Sequence, residues 1–197
     1  GTVPKPPKCA LVTPIFKSGC PDEFNNYRPI SVLPCFSKLL ERLLFNRLYN
    51  YLSTNDLLTD NQFGFRKKIS TEMAIITAID LITKAIDKKE HVIGLFLDLR
   101  KAFDTVNKEI LIQKLERYGI RGNALKWFNS YLDGRTQKVK CLGDISDVKD
   151  IVIGVPQGSI LGPLLFILFI NDLPNISEEF KGTLRRCNFA AIPEYLC

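Results

Sequence analysis

The stretch that decides the fold runs from residue 154 to residue 170 and reads GVPQGSILGPLLFILFI. Its first half has the glycine and proline content of a tight loop around one amide side chain, Gln157. Its second half is an apolar run too short to cross a bilayer, which needs about 20 apolar residues. We therefore predict a strand-to-helix corner in which Ser159 caps a buried helix that ends near Asn171.

The chain before this corner mixes strand and helix patterns without a strict alternation. Residues 11–17 and 27–33 flank a turn-rich stretch and predict a β-hairpin. Apolar residues recur at helical spacing in four segments, residues 36–52, 70–88, 108–118 and 123–132. Residues 136–142 and 148–155 predict two further strands around a polar turn. This mixture favours the α+β class.

The second predicted helix has signals at both of its ends. Ser70 has the hydroxyl of an N-cap, and Lys88 and Lys89 suit the negative end of the helix dipole. Between these ends, four isoleucines form a single stripe: Ile75, Ile79, Ile82 and Ile86. The stripe gives the helix one apolar face.

Residues 92–99 form a continuous apolar run that contains one glycine and one acid, Asp98. Continuous rather than alternating polarity predicts a strand that is buried on both faces. A buried carboxylate is costly unless it is paired, hydrogen-bonded or bound to a metal, and its oxygens suit Mg²⁺. Asp98 is therefore either a metal ligand or a salt-bridged strand end, with Arg100 or Lys101 as partner. Asp104 is predicted to cap the following helix.

Two groups of basic residues suit a polyanionic ligand. Lys17 and Arg28 lie on the two strands of the predicted hairpin, where both could reach one phosphate group. The loop at 62–68 sets aromatic side chains between cations that include Arg66 and Lys67, which suits base stacking with backbone neutralisation. A solvated charge run is the alternative for this loop. The net charge of +6 is compatible with a nucleic-acid partner.

Composition excludes several other classes of protein. With 46% hydrophobic and 24% charged residues, the 197-residue chain is neither disordered nor collagen-like. Six scattered cysteines without a C-x-x-C pair favour reduced thiols over a disulfide framework or a zinc site. No secretory signal opens the chain, so we expect an intracellular protein, nuclear or cytoplasmic, that is not secreted and has no membrane partner.

Four motifs in a fixed order together resemble one family. They are YRPIS at 27–31, QFGFRKKIST at 62–71, LDLRKAFDTV at 97–106 and PQGSILGPLLF at 156–166. In this order they are similar to the reverse transcriptases of non-LTR (LINE-type, Jockey-like) retrotransposons, over residues 11–181. Pro-Gln-Gly is the reverse-transcriptase form of this loop and differs from that of viral RNA-dependent RNA polymerases.

The resemblance implies a right-hand polymerase fold with fingers and a partial palm whose sheet is incomplete. Residues 1–90 would form a fingers-like region, residues 91–180 a partial palm-like region, and residues 181–197 a divergent tail. The implied activity is templated DNA synthesis by two-metal nucleotidyl transfer. The implied partners are an RNA template, a DNA primer and deoxynucleoside triphosphates, and the sequence indicates no protein partner.

The resemblance also assigns residues to the metal and to the template. Asp98 would be the first catalytic aspartate and a ligand of both Mg²⁺ ions, and the backbone carbonyl of Leu99 would assist it. Arg66 and Lys67 would lie in the fingers motif near the template.

Further residues are assigned to the incoming nucleotide. Phe103 would be the bulky residue that excludes a nucleotide 2′-hydroxyl, while Gln157 and Gly158 would form the loop beside the nucleotide and template. Arg28 and Lys17 would be the fingers cations that bind the triphosphate.

One family motif has no counterpart in this chain. The family carries a Phe/Tyr-Ala-Asp-Asp hairpin soon after the position of residues 170–174, and this hairpin supplies the remaining metal carboxylates. Here residues 181–192 read KGTLRRCNFAAI, and the chain contains no Asp-Asp pair, as if it were truncated before that motif. We therefore expect an incomplete Mg²⁺ site, exposed apolar surface and no useful polymerase activity from this chain alone.

Two other functions stay open at this point. The chain could be a non-catalytic nucleic-acid-binding remnant that uses the basic fingers surface, or an interaction domain with no nucleic-acid role. Salt-dependent binding to nucleic acid distinguishes these two possibilities.

Overall fold

The computed structural model describes residues 1–3, 8–93, 99 and 101–175. The chain divides into two compact units, each described here by itself. Unit 1 comprises Gly1–Tyr51 and Lys101–Phe169, and unit 2 comprises Leu52–Arg100 and Ile170–Cys197. The described residues mix helices with one partial sheet, as the predicted α+β class requires.

A mixed sheet forms the frame of unit 1. Its strands are β1 (Cys9–Phe16), β2 (Tyr27–Val32), β3 (Arg135–Cys141), β4 (Asp144–Ile145) and β5 (Lys149–Ile151). β1 pairs antiparallel with β2 and parallel with β3, and β3 pairs antiparallel with both β4 and β5. The predicted hairpin at 11–17 and 27–33 is confirmed by the β1–β2 pairing.

The strand predicted over 148–155 is shorter than expected. β5 ends at Ile151, because the next residues bond to a different segment of the chain. The backbone N–H groups of Gly154 and Val155 donate to the carbonyls of Val106 and Phe103, at 2.9 and 2.8 Å. Alternation of polarity could not predict this departure, since the bonding partners lie far away in sequence.

All of the predicted helices are present within a few residues of their expected bounds. They are α1 (Cys35–Thr54), α2 (Thr71–Asp87), α3 (Lys108–Arg117), α4 (Gly122–Leu132) and α5 (Gly162–Ile170). The predicted buried helix is α5, whose Leu165, Ile167 and Leu168 side chains are fully buried. Each such side chain contributes about 1.5–3 kcal/mol of burial free energy. No helix within the described ranges is long and apolar enough to span a bilayer.

The helix caps agree with the prediction at α2 and differ at α3. The Ser70 hydroxyl accepts from the Met73 N–H at 3.4 Å, which confirms Ser70 as the N-cap of α2. At α3 the cap is Asn107, whose Oδ1 accepts from the Glu109 and Ile110 N–H groups at 2.9 and 3.1 Å. The prediction that Asp104 caps this helix is wrong, because α3 begins only at Lys108.

The described ends of the apolar run at 92–99 are exposed. Val92, Ile93 and Leu99 lie outside any strand, and their side chains are 46%, 82% and 49% exposed. A strand buried on both faces is therefore the wrong prediction for these three residues. Residues 94–98 lie outside the described residues. Apolar composition indicates a tendency to be buried, but it does not identify the surface that covers the segment.

The isoleucine stripe of α2 is on an exposed face of the helix. Ile75, Ile79, Ile82 and Ile86 are between 43% and 62% exposed, whereas the small residue Ala74 is 2% exposed. The helical period therefore predicted the stripe correctly without predicting what packs against it. An exposed apolar face of this kind favours binding of an apolar probe or association with another surface.

We expect Ile75→Gln and Ile79→Gln, alone or combined, to reduce binding of the apolar dye ANS. Each should change the free energy of unfolding by less than about 0.5 kcal/mol, because exposed side chains lose few contacts. Ala74→Gln on the same helix is the control and should cost about 1–3 kcal/mol through overpacking. ANS fluorescence measures the dye binding, and urea unfolding measures the change in the free energy of unfolding for the isoleucine and alanine variants. Equal destabilisation by the isoleucine and alanine variants would show that the stripe is covered.

Candidate functional site

The loop Pro156–Ser159, called the PQGS loop below, is anchored in unit 1 by backbone hydrogen bonds. The Ser31 N–H on β2 donates to the Gln157 carbonyl at 3.1 Å. Immediately before the loop, the Val155 N–H donates to the Phe103 carbonyl at 2.8 Å. The structure therefore brings together three segments that come from separate sequence motifs: β2, the turn at Phe103, and the loop that carries Gln157.

Two glycines permit this close approach of backbone to backbone. Gly158 has φ +94°, and a Cβ placed on it would lie 2.7 Å from the Ser31 carbonyl oxygen. Gly154 has φ +96°, and its Cβ would lie 2.9 Å from the Cα of Asp104. Both positions combine a left-handed backbone with a steric limit, so only glycine fits without displacement of a neighbouring chain.

The predicted capping role of Ser159 is confirmed, although α5 begins at Gly162. The Ser159 hydroxyl accepts from the Gly162 N–H at 2.9 Å and donates to the Pro156 carbonyl at 2.8 Å. The side chain thus links the start of the PQGS loop to the start of the helix. Ser159 is 6% exposed, so water does not compete strongly for these bonds.

Glu41 on α1 was not predicted from the sequence, although it bonds the end of this loop. Glu41 is 1% exposed, and its carboxylate accepts from the Ile160 N–H at 2.7 Å. A sequence signal did exist, since Glu41 lies at helical spacing from the apolar residues Leu44 and Leu48 in a segment predicted to be a helix. An acid on the buried face of an amphipathic helix must find compensating donors, and in this chain they come from distant segments.

A pocket of about 220 Å³ lies beside the PQGS loop in unit 1. Valine, isoleucine and proline side chains form most of its wall, and its polar lining residues are Ser31, Asp104, Arg135, Gln137 and Gln157. Arg135 is 1% exposed, and its guanidinium carbon lies 4.9 Å from the ring centroid of Tyr131. Arg135 Nε and Nη2 have no hydrogen-bond partner within the described part of the chain.

Burial shifts the pKa of two ionisable groups in unit 1, Asp104 in the pocket lining and Lys108 on α3. Partial burial raises the pKa of the Asp104 carboxyl above its usual range, and the nearby Lys101 charge opposes the rise. Burial also lowers the pKa of Lys108, an effect that Asp133 opposes. Both shifts disfavour charge, as expected for groups partly withdrawn from water, although Asp104 keeps much of its surface exposed.

The β1–β2 register determines the placement of the two hairpin cations. Arg28 is directly opposite Ile15, and the Lys17 N–H donates to the Asn26 carbonyl at 2.8 Å just beyond β1. Since side chains alternate along a strand, Lys17 and Arg28 are diagonal neighbours on one face of the hairpin. Lys17 is exposed and Arg28 is half-buried.

The remaining predicted site residues belong to unit 2. Arg66 is half-buried, and its Nη1 donates to the Thr59 carbonyl at 2.8 Å, while Lys67 is exposed. Leu99 is described, but Asp98 lies outside the described residues. Within the described ranges, no group of three or more His, Cys, Asp or Glu side chains is arranged to hold a metal ion.

Comparison with protein families identifies the relationship of this chain. Residues 5–190 match the family model for reverse transcriptase (RNA-dependent DNA polymerase). The chain belongs to the reverse transcriptase family. The match includes all four quoted motifs and extends into the segment 181–197.

Similar proteins come from retrotransposons of Drosophila melanogaster. The probable RNA-directed DNA polymerase from transposon BS is 39% identical over 178 residues, which cover 87% of this chain and 19% of that protein. The RNA-directed DNA polymerase from mobile element jockey is 37% identical over 88% of this chain and 19% of its own length. The predicted Jockey-like resemblance is confirmed. This chain spans about a fifth of the length of these curated relatives.

We predict that Gly158→Ala destabilises unit 1 more than Gly143→Ala does. Both glycines have a left-handed backbone, but a Cβ at Gly143 meets no atom within 4 Å, whereas one at Gly158 meets the Ser31 carbonyl. Backbone strain alone costs about 1–3 kcal/mol, and the steric conflict adds to it at Gly158 only. Chemical denaturation of the two variants measures the difference. Equal losses of unfolding free energy in the two variants would show that the loop can move away from β2.

We also predict that Asp104→Asn stabilises the protein at neutral pH. The raised pKa of this carboxyl means that the folded state favours the protonated form. The unfavourable contribution of the ionised carboxyl to folding stability is therefore absent below its ordinary pKa of 3.8. It develops as the pH rises from there through the folded-state pKa. Thermal unfolding should show a higher Tm for the variant at pH 7 and little difference at pH 3. Asp144→Asn, on β4 and outside the pocket lining, is the control.

Proposed function

We propose that this chain carries the nucleotide-binding and template-binding part of an RNA-directed DNA polymerase from a non-LTR retrotransposon. The observation that carries the proposal is the bonding of the PQGS loop to β2 and of Val155, directly before the loop, to the turn at Phe103. The family resemblance assigns these three segments to one function, contact with the incoming nucleotide. The names of the relatives, RNA-directed DNA polymerases of mobile elements, support the same activity.

The proposed architecture follows the right-hand polymerase arrangement. Residues 1–90 supply the fingers, residues 91–180 part of the palm, and residues 181–197 a divergent tail. The proposed substrates are an RNA template, a DNA primer and deoxynucleoside triphosphates. The family match over residues 5–190 supports the assignment of the first two regions to a polymerase.

The contacts of the nucleotide-site residues suit their proposed roles. Arg28 and Lys17, diagonal neighbours on the hairpin, present two cations to a triphosphate, which Arg can bind in a bidentate manner. The Phe103 ring packs against Phe166 with centroids 5.1 Å apart, so it offers a supported wall against a 2′-hydroxyl. The Gln157 side chain supplies both a donor and an acceptor beside the nucleotide.

The proposed template contact comes from unit 2. The Nη1 of Arg66 is bonded to Thr59, while its Nε has no partner within the described ranges. The exposed Lys67 follows directly and supplies a second cation for the template backbone.

The proposed metal ligands are Asp98 and the backbone carbonyl of Leu99. Bound Mg²⁺ supplies activation of the primer 3′-hydroxyl and neutralisation of the leaving pyrophosphate. One carboxylate does not hold two divalent cations against their mutual repulsion, and the 197 residues contain no Asp-Asp pair. We therefore propose that this chain alone binds its substrates without extending a primer.

Primer extension on a primed RNA template, with Mg²⁺ or Mn²⁺, tests the proposed inactivity. We expect no extended product from the 197-residue chain. Robust DNA synthesis would contradict the claim that the second set of carboxylates is required.

Salt-dependent binding to a fluorescent primer–template tests the nucleic-acid role. We expect affinity to fall steeply between about 50 and 200 mM salt, because each phosphate contact releases counterions. Lys67→Ala should reduce the slope because Lys67 lies in the motif assigned to the template, whereas Lys84→Ala, on α2 outside that motif, should not. Affinity that is independent of salt would instead favour an interaction domain with no nucleic-acid role.

A further inference from the structure

A single buried carboxylate bonds two distant segments in unit 1. Glu41 Oε2 accepts from the Ile160 N–H at 2.7 Å and, more weakly, from the Leu161 N–H at 3.4 Å. Glu41 Oε1 accepts from the Tyr131 hydroxyl at 2.8 Å. Each oxygen therefore has its own donor, and together they offset the cost of burying the acid.

The two backbone donors lie between the PQGS loop and the first turn of α5. Ile160 directly follows Ser159, and α5 begins at Gly162. A helix start has unpaired N–H groups and a partial positive charge, so a carboxylate is favourable there. Glu41 thus supplies from another helix a contact that the local sequence does not provide.

Tyr131 keeps the opposite side of this carboxylate in place. Burial raises the pKa of Tyr131, and the Glu41 charge raises it further, so its hydroxyl remains a donor. The Tyr131 ring also contacts the Arg135 guanidinium at 4.9 Å, and Arg135 lines the pocket beside Gln157. The surroundings of Glu41 are therefore continuous with the pocket beside the loop.

We propose that Glu41 is a positioning residue for the nucleotide site, an inference that rests on the function proposed above. The segment before the PQGS loop is fixed by the Val155–Phe103 bond, and Gln157 is fixed by Ser31. Glu41 fixes the segment that follows the loop. With both flanks fixed, the Gln157 side chain has little freedom to leave the position in which it meets the nucleotide. Misplacement of a positioned group by about 1 Å can lower a reaction rate about 100-fold.

A purely structural role for Glu41 has different consequences. In that case its loss lowers the stability of unit 1 while the loop keeps its position in the folded molecules. Under our proposal, the loop moves even in molecules that remain folded. The two roles are therefore separated by a measurement made at the loop itself.

Glu41→Gln, Glu41→Leu and Tyr131→Phe are the informative variants, and Glu116→Gln on the exposed face of α3 is the control. In Glu41→Gln, the side-chain oxygen can still accept from Ile160 while its NH₂ donates to the Tyr131 oxygen. This variant should preserve the loop, whereas Glu41→Leu removes every acceptor. If Glu41→Leu fails to fold, Tyr131→Phe still removes one of the three bonds.

The first readout is the amide NMR spectrum of the full 197-residue chain. We expect the Gln157 and Gly158 resonances to shift in Glu41→Leu and Tyr131→Phe, with near wild-type positions in Glu41→Gln and the control. The proposal would be overturned if the Gln157 and Gly158 resonances were unchanged in folded Glu41→Leu. If Glu41→Leu is unfolded, unchanged resonances in Tyr131→Phe would overturn it. This readout does not depend on nucleotide binding.

The second readout is dNTP affinity with Mg²⁺, an RNA template and a primer that ends in a dideoxynucleotide. We expect Glu41→Leu to weaken dNTP binding about tenfold or more, with primer–template affinity changed less than about twofold and substantial rescue in Glu41→Gln. The positioning role would be overturned if Glu41→Gln and Glu41→Leu lost dNTP affinity equally and in proportion to their loss of stability. If wild type binds no dNTP, the proposed function fails, and the NMR readout alone decides the role of Glu41.

Discussion

The backbone of the PQGS corner must be hydrogen-bonded although it belongs to neither a strand nor a helix. Buried N–H and C=O groups are costly when unpaired, so this segment depends on partners from elsewhere in unit 1. Ser31 on β2 pairs with the Gln157 carbonyl, Phe103 accepts from Val155, and Glu41 accepts from Ile160. The candidate site exists because these bonds bring separate parts of the chain to one loop.

Local patterns predicted the elements that support this corner. Alternating polarity and turn residues predicted the β1–β2 hairpin, helical spacing predicted α1 to α4, and the apolar run predicted buried α5. The hydroxyl of Ser159 was also predicted as a cap, because capping depends on residues only a few positions apart. These features share one property: the interactions that form them are short-range in sequence.

The features that were not predicted depend on distant partners. The role of Glu41 depends on amides contributed by a segment far along the chain, and the early end of β5 depends on bonds to Phe103 and Val106. The exposure of the Ile79 side chain, likewise, depends on what covers α2 and not on the helical period. The motifs identified the family without indicating that the backbone of Ser31 would bond Gln157 or that the backbone of Phe103 would bond Val155.

Native-state hydrogen exchange measures most directly whether the corner is held as firmly as its hydrogen bonds indicate. The account predicts that the Ser31, Val155 and Ile160 amides exchange as slowly as the amide of Leu165 in buried α5, through global opening of unit 1. Exchange of these three amides as fast as that of exposed Gly143 would contradict the account, because the loop would then open independently of the core.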